Sequence, residues 1–203
     1  MIDFAYTREW YEREYHEGIY ALHTSTPDEI AEQWAHPHYR EHLSAVWALL
    51  PRPLAGRVLE VGVHHGKTAC WMLDEFPAIT ALWGVDWSQV SIDFCERLGR
   101  KRLIPYCGLA EALPFTNAHF DAISCVDFTE HLPPPVYRAV VEELTRVAAP
   151  GALMVLHHGR TAHPAHINPI SEATLLADFT VAGWRHIAGT AEGYHALERK
   201  GTA

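Results

Sequence analysis

The 203-residue sequence has few basic residues and no long apolar run. It holds 16 lysines and arginines against 25 acidic residues, so its formal net charge is −9. Such a chain is a poor match for the phosphates of nucleic acids or for an anionic membrane surface. No apolar run is long enough to span a bilayer, and the polar, aromatic start lacks the basic head and apolar stretch of a signal peptide. We therefore expect a cytoplasmic protein without a nucleic-acid or membrane partner.

The four cysteines are also few and are widely spaced, without a CxxC pair. Each falls within an apolar helix or strand pattern, and they are Cys70, Cys95, Cys107 and Cys125. This distribution predicts buried free thiols of a cytosolic protein rather than disulfides or a thiolate metal site.

Strand-like and helical patterns alternate after residue 56. Five apolar runs are separated by helical stretches: 57–61, 79–86, 103–107, 120–126 and 152–158. This alternation predicts parallel βαβ units. Two final runs, 184–190 and 194–200, are joined by a short turn at Glu192-Gly193 and must be antiparallel. We predict an α/β fold, a Rossmann-like, doubly wound, mostly parallel seven-stranded sheet with an antiparallel strand near the C-terminus.

The N-terminal 53 residues have helical patterns instead. Thr26-Pro27 with Glu29 is a helix start with a capping box. Leu43, Val46, Trp47 and Leu50 follow helical spacing, and Pro51 and Pro53 are expected to end that helix. An aromatic helix precedes both, with paired rings at Tyr6, Trp10, Tyr11 and Tyr15. We expect residues 1–53 to form a cap or lid on a Rossmann-like domain of residues 54–203. Packing on the sheet or a homodimer face are the alternatives.

The first strand-to-helix turn, VLEVGVHHGKT (58–68), lacks the dinucleotide fingerprint. Counted from Gly62, the next two glycine positions of G-x-G-x-x-G hold His64 and Lys67. A pyrophosphate needs bare backbone there, whereas an adenosyl ligand without phosphates makes a smaller demand. The pattern present is E-x-G-x-x-x-G, from Glu60 to Gly66, and its carboxylate suits a cation. A nicotinamide-dependent oxidoreductase is therefore disfavoured.

The second predicted strand ends in an acid, Asp86. An acid about 20–25 residues after the glycine turn is placed to accept hydrogen bonds from both ribose hydroxyls. Trp87 follows and offers a ring that can pack on an adenine face. These two residues, with the glycine turn, predict an adenosyl-binding site.

From about Arg57 to about Lys200 the sequence resembles the class I S-adenosylmethionine-dependent methyltransferases. Five segments carry the resemblance. They are VLEVGVHHGKT (58–68), GVDWS (84–88), GLAEALPF (108–115), FDAISCVDFTEHL (120–132) and EELTRVAAPGALMVLHH (142–158). The resemblance implies S-adenosyl-L-methionine as cofactor and a small-molecule acceptor. The sequence departs from the family's pattern at His64, where a glycine is usual, and at Leu109, where an acid is frequent.

The resemblance also implies roles for individual residues. The methionine end of the cofactor is expected at Glu60, Gly62, Val63 and His64, with Gly66 in the same glycine motif. The ribose is expected at Asp86, the adenine at Trp87, Ala110 and Glu111, and the cofactor's amino group at Asp127 and Phe128.

Fifteen histidines are the one unusual count in the composition. Seven map to predicted strand ends or the loops that follow: His64, His65, His131, His157, His158, His163 and His166. A neutral histidine is suited to act as general base toward an acceptor, and His131 and His157 are the candidates. Tyr11 of the aromatic helix is a further candidate contact. Three histidines together can bind a metal, but no fixed ligand spacing is present, and we predict no metal site.

The sequence thus predicts in-line methyl transfer to a small acceptor. Two alternatives use the same fold. One is a non-methylating use of the cofactor, such as cyclisation or a metal-assisted step. The other is a protein that binds the cofactor without turnover.

Overall fold

The structure is a computed structural model that describes residues 26–159, 166–168 and 170–201, without the side chains of residues 30, 33 and 34. The predictions for Tyr6, Trp10, Tyr11, Tyr15 and His163 therefore lie outside the described residues.

Seven strands of the described chain form one sheet in the order β3-β2-β1-β4-β5-β7-β6. Their bounds are β1 Gly56–Val61, β2 Ile79–Asp86, β3 Leu103–Cys107, β4 Phe120–Cys125, β5 Ala148–His157, β6 Trp184–Gly189 and β7 Tyr194–Arg199. Strands β1 to β5 are parallel, whereas β7 runs antiparallel to both β5 and β6. This arrangement confirms the predicted fold class and the closing hairpin. Strand order reverses between β1 and β4, which is where such sheets open a crevice for ligands.

Six helices of the described chain flank the sheet: α1 Pro27–Ala35, α2 Pro37–Trp47, α3 Lys67–Glu75, α4 Gln89–Arg97, α5 Pro134–Val147 and α6 Glu172–Val181. A short 3₁₀ turn, Thr129–His131, follows β4. In the part of the chain that the structure describes, none of the helices combines the length and apolarity that crossing a membrane requires.

Three helix starts are set by local side-chain hydrogen bonds, and the first of them is the capping box predicted at Thr26. At α1 the Thr26 backbone N–H donates to the Glu29 carboxylate at 2.7 Å, and the Glu29 N–H donates to the Thr26 hydroxyl at 3.3 Å. Ser88 and Ser171 accept from backbone N–H groups in the first turns of α4 and α6. These bonds satisfy donors that a helix start leaves without partners.

The core has two layers because successive residues of a strand point to opposite faces of the sheet. In β1, Val58 packs in a cluster with Trp47 and Trp71, on the side of α2 and α3. Its neighbour Leu59 packs in the other cluster, with Leu144, on the side of α5. Both strand residues are fully buried, so the sheet is covered on both faces and ligands must approach at strand ends.

Two predicted boundaries are wrong. Helix α2 ends at Trp47 instead of reaching Pro51, because a proline ring would clash with the carbonyl four residues earlier, which is that of Trp47. Strand β5 begins at Ala148, so Pro150-Gly151 lies inside the strand. The pairing with β4 shifts register there, and Gly151, with φ of 78°, accommodates the bulge.

All four cysteines are free thiols, and three are buried as predicted. The prediction is wrong for Cys107, which ends β3 near the rim of the sheet and is half-buried. Burial raises the pKa of Cys70 to about 12 and also raises the pKa values of Cys95 and Cys125. Thiolate is the reactive form of cysteine. These three thiols are therefore unreactive for two reasons, because reagents cannot reach them and because they stay protonated at neutral pH.

We expect a thiol reagent at neutral pH to label Cys107 in the native protein and all four cysteines after denaturation. The measurement is a time course with a chromogenic disulfide reagent, with labelled sites mapped by mass spectrometry. Cys107→Ser is expected to remove the fast phase. Fast native labelling of Cys70, Cys95 or Cys125 would contradict the described core.

Candidate active site

A cavity of about 890 Å³ opens at the carboxyl ends of β1, β2, β4 and β5. It lies where strand order reverses, as expected for a doubly wound sheet. Most of the residues predicted to contact the cofactor line it: Glu60, Gly62, Val63, His64, Asp86, Trp87, Ala110, Glu111, Asp127 and Phe128. His131 and His157 line it too, whereas Tyr11 lies outside the described residues. Residues more than a hundred positions apart in sequence therefore meet around one space.

Gly66 is the exception, because it does not line the cavity. It precedes α3 with φ of 74°, in the left-handed region that favours glycine. A Cβ atom at this position would lie 2.8 Å from Leu98 Cδ1 and 3.1 Å from Cys95 Sγ. The glycine therefore lets the end of α4 pack closely against the start of α3.

The loop after β1 is held close to β2 and to the loop after β4. The backbone N–H groups of Gly62 and Val63 both donate to the Val85 carbonyl, at 2.8 and 3.1 Å. Gly62 has φ of 71°, and a Cβ atom on it would lie 2.7 Å from Phe128 Cδ2. The Phe128 ring thus covers bare backbone at Gly62 and connects two loops that the sequence predicted to share a ligand.

His64 occupies a backbone position suited to glycine. Its φ is 51°, a left-handed conformation that costs a side-chain-bearing residue roughly 1–2 kcal/mol. The backbone N–H of His64 donates to Asp86 Oδ2 at 3.0 Å. The strained conformation thus aims this donor at the acid that ends β2, which explains why glycine is the easier residue here.

Asp86 links three loops around the cavity and is only 5% exposed. Besides the bond from His64, its Oδ1 accepts from the Ser88 backbone N–H at 3.0 Å. Its own carbonyl accepts from Gly108 N–H at 2.9 Å, which ties in the loop after β3. A carboxylate offers about four lone-pair sites, so one carboxylate can accept from several donors at once.

Glu60 is a buried carboxylate with an unmade hydrogen bond. It is 6% exposed and lines the cavity, and among the described residues its Oε2 has no hydrogen-bond partner. Burial raises its pKa well above the usual value, although a backbone hydrogen bond from Ala69 opposes this. A cationic donor in the cavity would satisfy the oxygen and favour the ionised form. The residue therefore fits the amino group of S-adenosylmethionine.

The charge of the cavity wall is mostly negative. Among the described residues, its carboxylates are Glu60, Asp86, Glu111, Asp127, Glu130 and Glu192. Lys67 adds a basic side chain to the wall, and its ammonium lies 3.2 Å from the centroid of the Tyr39 ring. Such a wall attracts a cation and disfavours a pyrophosphate.

His157 has an acceptor at each ring nitrogen. Its Nδ1 is hydrogen-bonded to the Asp127 carboxylate, and its Nε2 lies 3.3 Å from the Glu192 carbonyl. The Tyr194 ring stacks on the imidazole, with centroids 4.0 Å apart. Burial by itself lowers the pKa of His157, but the bond and the charge of Asp127 outweigh it and the net direction is upward.

A second polar group occupies the other side of the loop after β4. The ligand-capable atoms of Glu130, His131 and His166 all lie within 4.8 Å of one another. Glu130 is 1% exposed, and burial raises its pKa to about 7. Glu130 was not predicted as a site residue, although it stands beside His131 in the segment FDAISCVDFTEHL.

Tyr39, Glu192 and Tyr194 also line the cavity without having been predicted. Tyr39 comes from α2, and the other two come from the closing hairpin. Their positions depend on how α2 and β7 pack against the sheet, and no local sequence signal marks them.

The comparisons with known proteins agree with this geometry. Residues 58–151 match the family described as a methyltransferase domain. The uncharacterized methyltransferase YcgJ of Bacillus subtilis (strain 168) is 26% identical over 140 residues, which cover 64% of this chain and 53% of YcgJ. The chain thus spans about half the length of this curated relative.

Two solved structures show the same fold. The N-methyltransferase NodS from Bradyrhizobium japonicum WM9, in complex with S-adenosyl-L-homocysteine, superposes with a TM-score of 0.61 at 14% identity, over 85% of this chain and 97% of NodS. The [4+2]-cyclase SpnF superposes with a TM-score of 0.64 at 20% identity, over 74% of this chain and 58% of SpnF. Residues 58–151 therefore form a methyltransferase domain, and the YcgJ relative and the strand order make the chain similar to the class I S-adenosylmethionine-dependent methyltransferases.

Proposed function

We propose that this protein transfers a methyl group from S-adenosyl-L-methionine to a small-molecule acceptor. The observation that carries the proposal is the buried Glu60 carboxylate, whose Oε2 has no hydrogen-bond partner in the described part of the chain, set in a cavity lined mainly by acidic side chains at the strand ends. When bound, the cofactor supplies an electrophilic methyl group on a sulfonium sulfur.

The residues around the cavity divide between the parts of the cofactor. We assign the ammonium of its methionine end to Glu60, beside the bare backbone of Gly62, rather than to Asp127 and Phe128, which the resemblance implied. Asp86 accepts from the ribose hydroxyls, since its two bonded N–H groups hold the carboxylate in place. Trp87 and Ala110 pack on the adenine, with Glu111 at its edge. All of these residues line the cavity, which supports the assignment.

The loop after β4 contributes the remaining contacts. Asp127 has φ of 50°, a left-handed conformation that turns the chain at the cavity wall. Phe128 shields the methionine end, while Asp127 orients His157. Both ring nitrogens of His157 already face acceptors, so we assign it a positioning role rather than that of a general base. His131, on the adjacent turn, remains the candidate group for the acceptor side.

A small acceptor is supported by size and charge. The cavity of about 890 Å³ falls within the range of roughly 300–1,000 Å³ that is usual for ligand pockets. The net charge of −9 disfavours a nucleic-acid acceptor or a membrane surface. Four free thiols agree with a reducing, cytoplasmic location. We propose residues 1–53, including Tyr11, as the lid of the pocket. A homodimer through the same segment stays a prediction.

We expect S-adenosylhomocysteine to bind the purified protein in a calorimetric titration and NADH to give no heat of binding. Asp86→Asn is expected to raise the dissociation constant at least about tenfold, because a hydrogen bond to a charged group contributes about 1.5–3 kcal/mol.

Asp121→Asn is the matched control for that titration. Asp121 likewise accepts a backbone N–H bond, from Arg57 at 2.8 Å, but it stands at the opposite end of the sheet. It should leave the dissociation constant unchanged. Equal losses in the two variants would show that Asp86 acts only through stability, and no binding by the wild-type chain would sink the proposal.

The product separates methyl transfer from cyclisation of the cofactor. With a library of small acceptors and a trideuteromethyl-labelled cofactor, we expect S-adenosylhomocysteine and an acceptor that carries the label, both detected by mass spectrometry. Release of methylthioadenosine would favour the cyclising alternative, and tight binding without any product would favour a binding protein.

The adjacent histidines 157 and 158 are expected to respond oppositely to pH. The folded-state pKa of His157 is raised, so its contribution to stability is present below the unfolded value of about 6.5 and is lost as the pH rises through the folded value. Burial lowers the pKa of His158, whose Nδ1 is bonded to the Thr129 hydroxyl at 2.8 Å. The protonation of His158 therefore opposes folding in acid.

Urea denaturation of His157→Gln and His158→Gln at about pH 6 and pH 8.5 tests this difference. The loss of unfolding free energy caused by His157→Gln should be larger at the lower pH. The loss caused by His158→Gln should be smaller at the lower pH. The same sign for both variants would mean that His157 is neutral and available as a base.

A further inference from the structure

We propose that Glu130, His131 and His166 bind a divalent transition-metal cation at the acceptor end of the cavity, and that this cation holds an oxygen of the acceptor. The binding site stands on its own geometry, whereas the acceptor role rests on the proposed function. The proposal departs from the sequence prediction of no metal site, because two of the ligands are adjacent and the third lies far along the chain.

The distances suit one shared cation. The three ligand atoms lie within 4.8 Å of one another, and all three residues line the cavity. Ligand atoms about 2.0–2.2 Å from a metal are separated by roughly 3–4 Å in tetrahedral or octahedral sites. Small rotations of the two half-buried imidazoles close the remaining gap.

The carboxylate of Glu130 supplies an independent sign of a missing partner. It is 1% exposed, and its Oε1 accepts from the Gly159 backbone N–H at 2.8 Å. Its Oε2 is buried, and none of the described residues forms a hydrogen bond with it. Leaving a buried acceptor unsatisfied is costly, and more so for a carboxylate. A cation at this point would satisfy the oxygen.

The backbone holds the third ligand beside the first two. The Glu130 carbonyl accepts from Ile167 N–H at 2.9 Å and from Asn168 N–H at 3.0 Å. The Asn168 side chain donates to the Thr129 carbonyl at 3.2 Å. The segment that carries His166 is therefore anchored directly to the turn that carries Glu130 and His131.

Gly159 makes the close approach possible. A Cβ atom at this residue would lie 2.3 Å from Glu130 Oε1 and 3.1 Å from His166 Cε1. Any side chain here would push the carboxylate and the imidazole apart. The end of β5 is thus shaped around these two side chains.

The donor set indicates the class of cation and of acceptor. One carboxylate and two imidazoles favour zinc, iron, cobalt or manganese over calcium. Three protein ligands leave coordination positions open for substrate oxygen. This favours an acceptor with a hydroxyl group, whose pKa the cation lowers, so that the proton passes to solvent. The acceptor oxygen then forms a bond to the methyl carbon as the carbon–sulfur bond breaks, and the electron pair stays on sulfur.

Metal binding is tested directly on the chelator-treated full chain. We expect about one equivalent of Co²⁺ to bind, seen by its visible absorption, and Zn²⁺ to displace it. Glu130→Gln and His166→Asn should each weaken Co²⁺ binding at least about tenfold. His119→Asn is the matched control, because His119 stacks on Phe115 beside the start of β4, at the opposite end of the sheet. It should bind Co²⁺ like the wild type.

Circular dichroism checks that each variant is folded, and His166→Asn, at a half-buried ring, serves if Glu130→Gln does not fold. No Co²⁺ or Zn²⁺ uptake by the wild type, or uptake unchanged in both ligand variants, overturns the proposal. Titration of the wild type with S-adenosylhomocysteine separates the two claims. Cofactor binding without metal uptake would support the methyltransferase proposal and overturn the metal site. Metal uptake without cofactor binding would support the metal site and overturn the methyltransferase proposal.

Discussion

The burial of three carboxylates at the carboxyl ends of the strands is the constraint on which the site depends. Glu60, Asp86 and Glu130 are each less than 7% exposed. A buried charge is costly unless it is paired or hydrogen-bonded. Asp86 meets that requirement with two backbone N–H groups, whereas Glu60 and Glu130 each keep one oxygen without a partner among the described residues. Burial raises the pKa of both Glu60 and Glu130, so a cationic group bound beside either one would favour its ionised form and would stabilise the fold.

Two glycines allow loops around the cavity to pack closely against each other. At Gly62 the missing side chain leaves room for the Phe128 ring, and at Gly159 it leaves room for the Glu130 carboxylate and the His166 ring. Each glycine joins a strand end to the loop after β4. This loop, with its left-handed residue at Asp127, thereby contacts both ends of the cavity. The proposed cofactor and acceptor sites share this loop.

The histidines near the cavity occupy distinct environments. His157 faces an acceptor at each nitrogen, which favours the charged ring. Its neighbour His158 points to the other side of the strand end, where burial favours the neutral ring. His131 and His166 face each other, with ring centroids 5.0 Å apart, beside Glu130. Residue type alone does not distinguish these cases, because the charge of an imidazole depends on what surrounds both of its nitrogens.

Local sequence patterns predict the elements and most of the residues on one side of the cavity. Strand runs, the capping box at Thr26, the hairpin and the acid at Asp86 rest on local periodicity and on short hydrogen-bonded patterns, which a sequence displays directly. Packing between distant segments explains the rest. It places Gly66 where α3 and α4 meet and bulges β5 over Pro150-Gly151. It also brought His166 to Glu130, since contacts between distant segments depend on how a whole sheet folds and leave no local spacing to read.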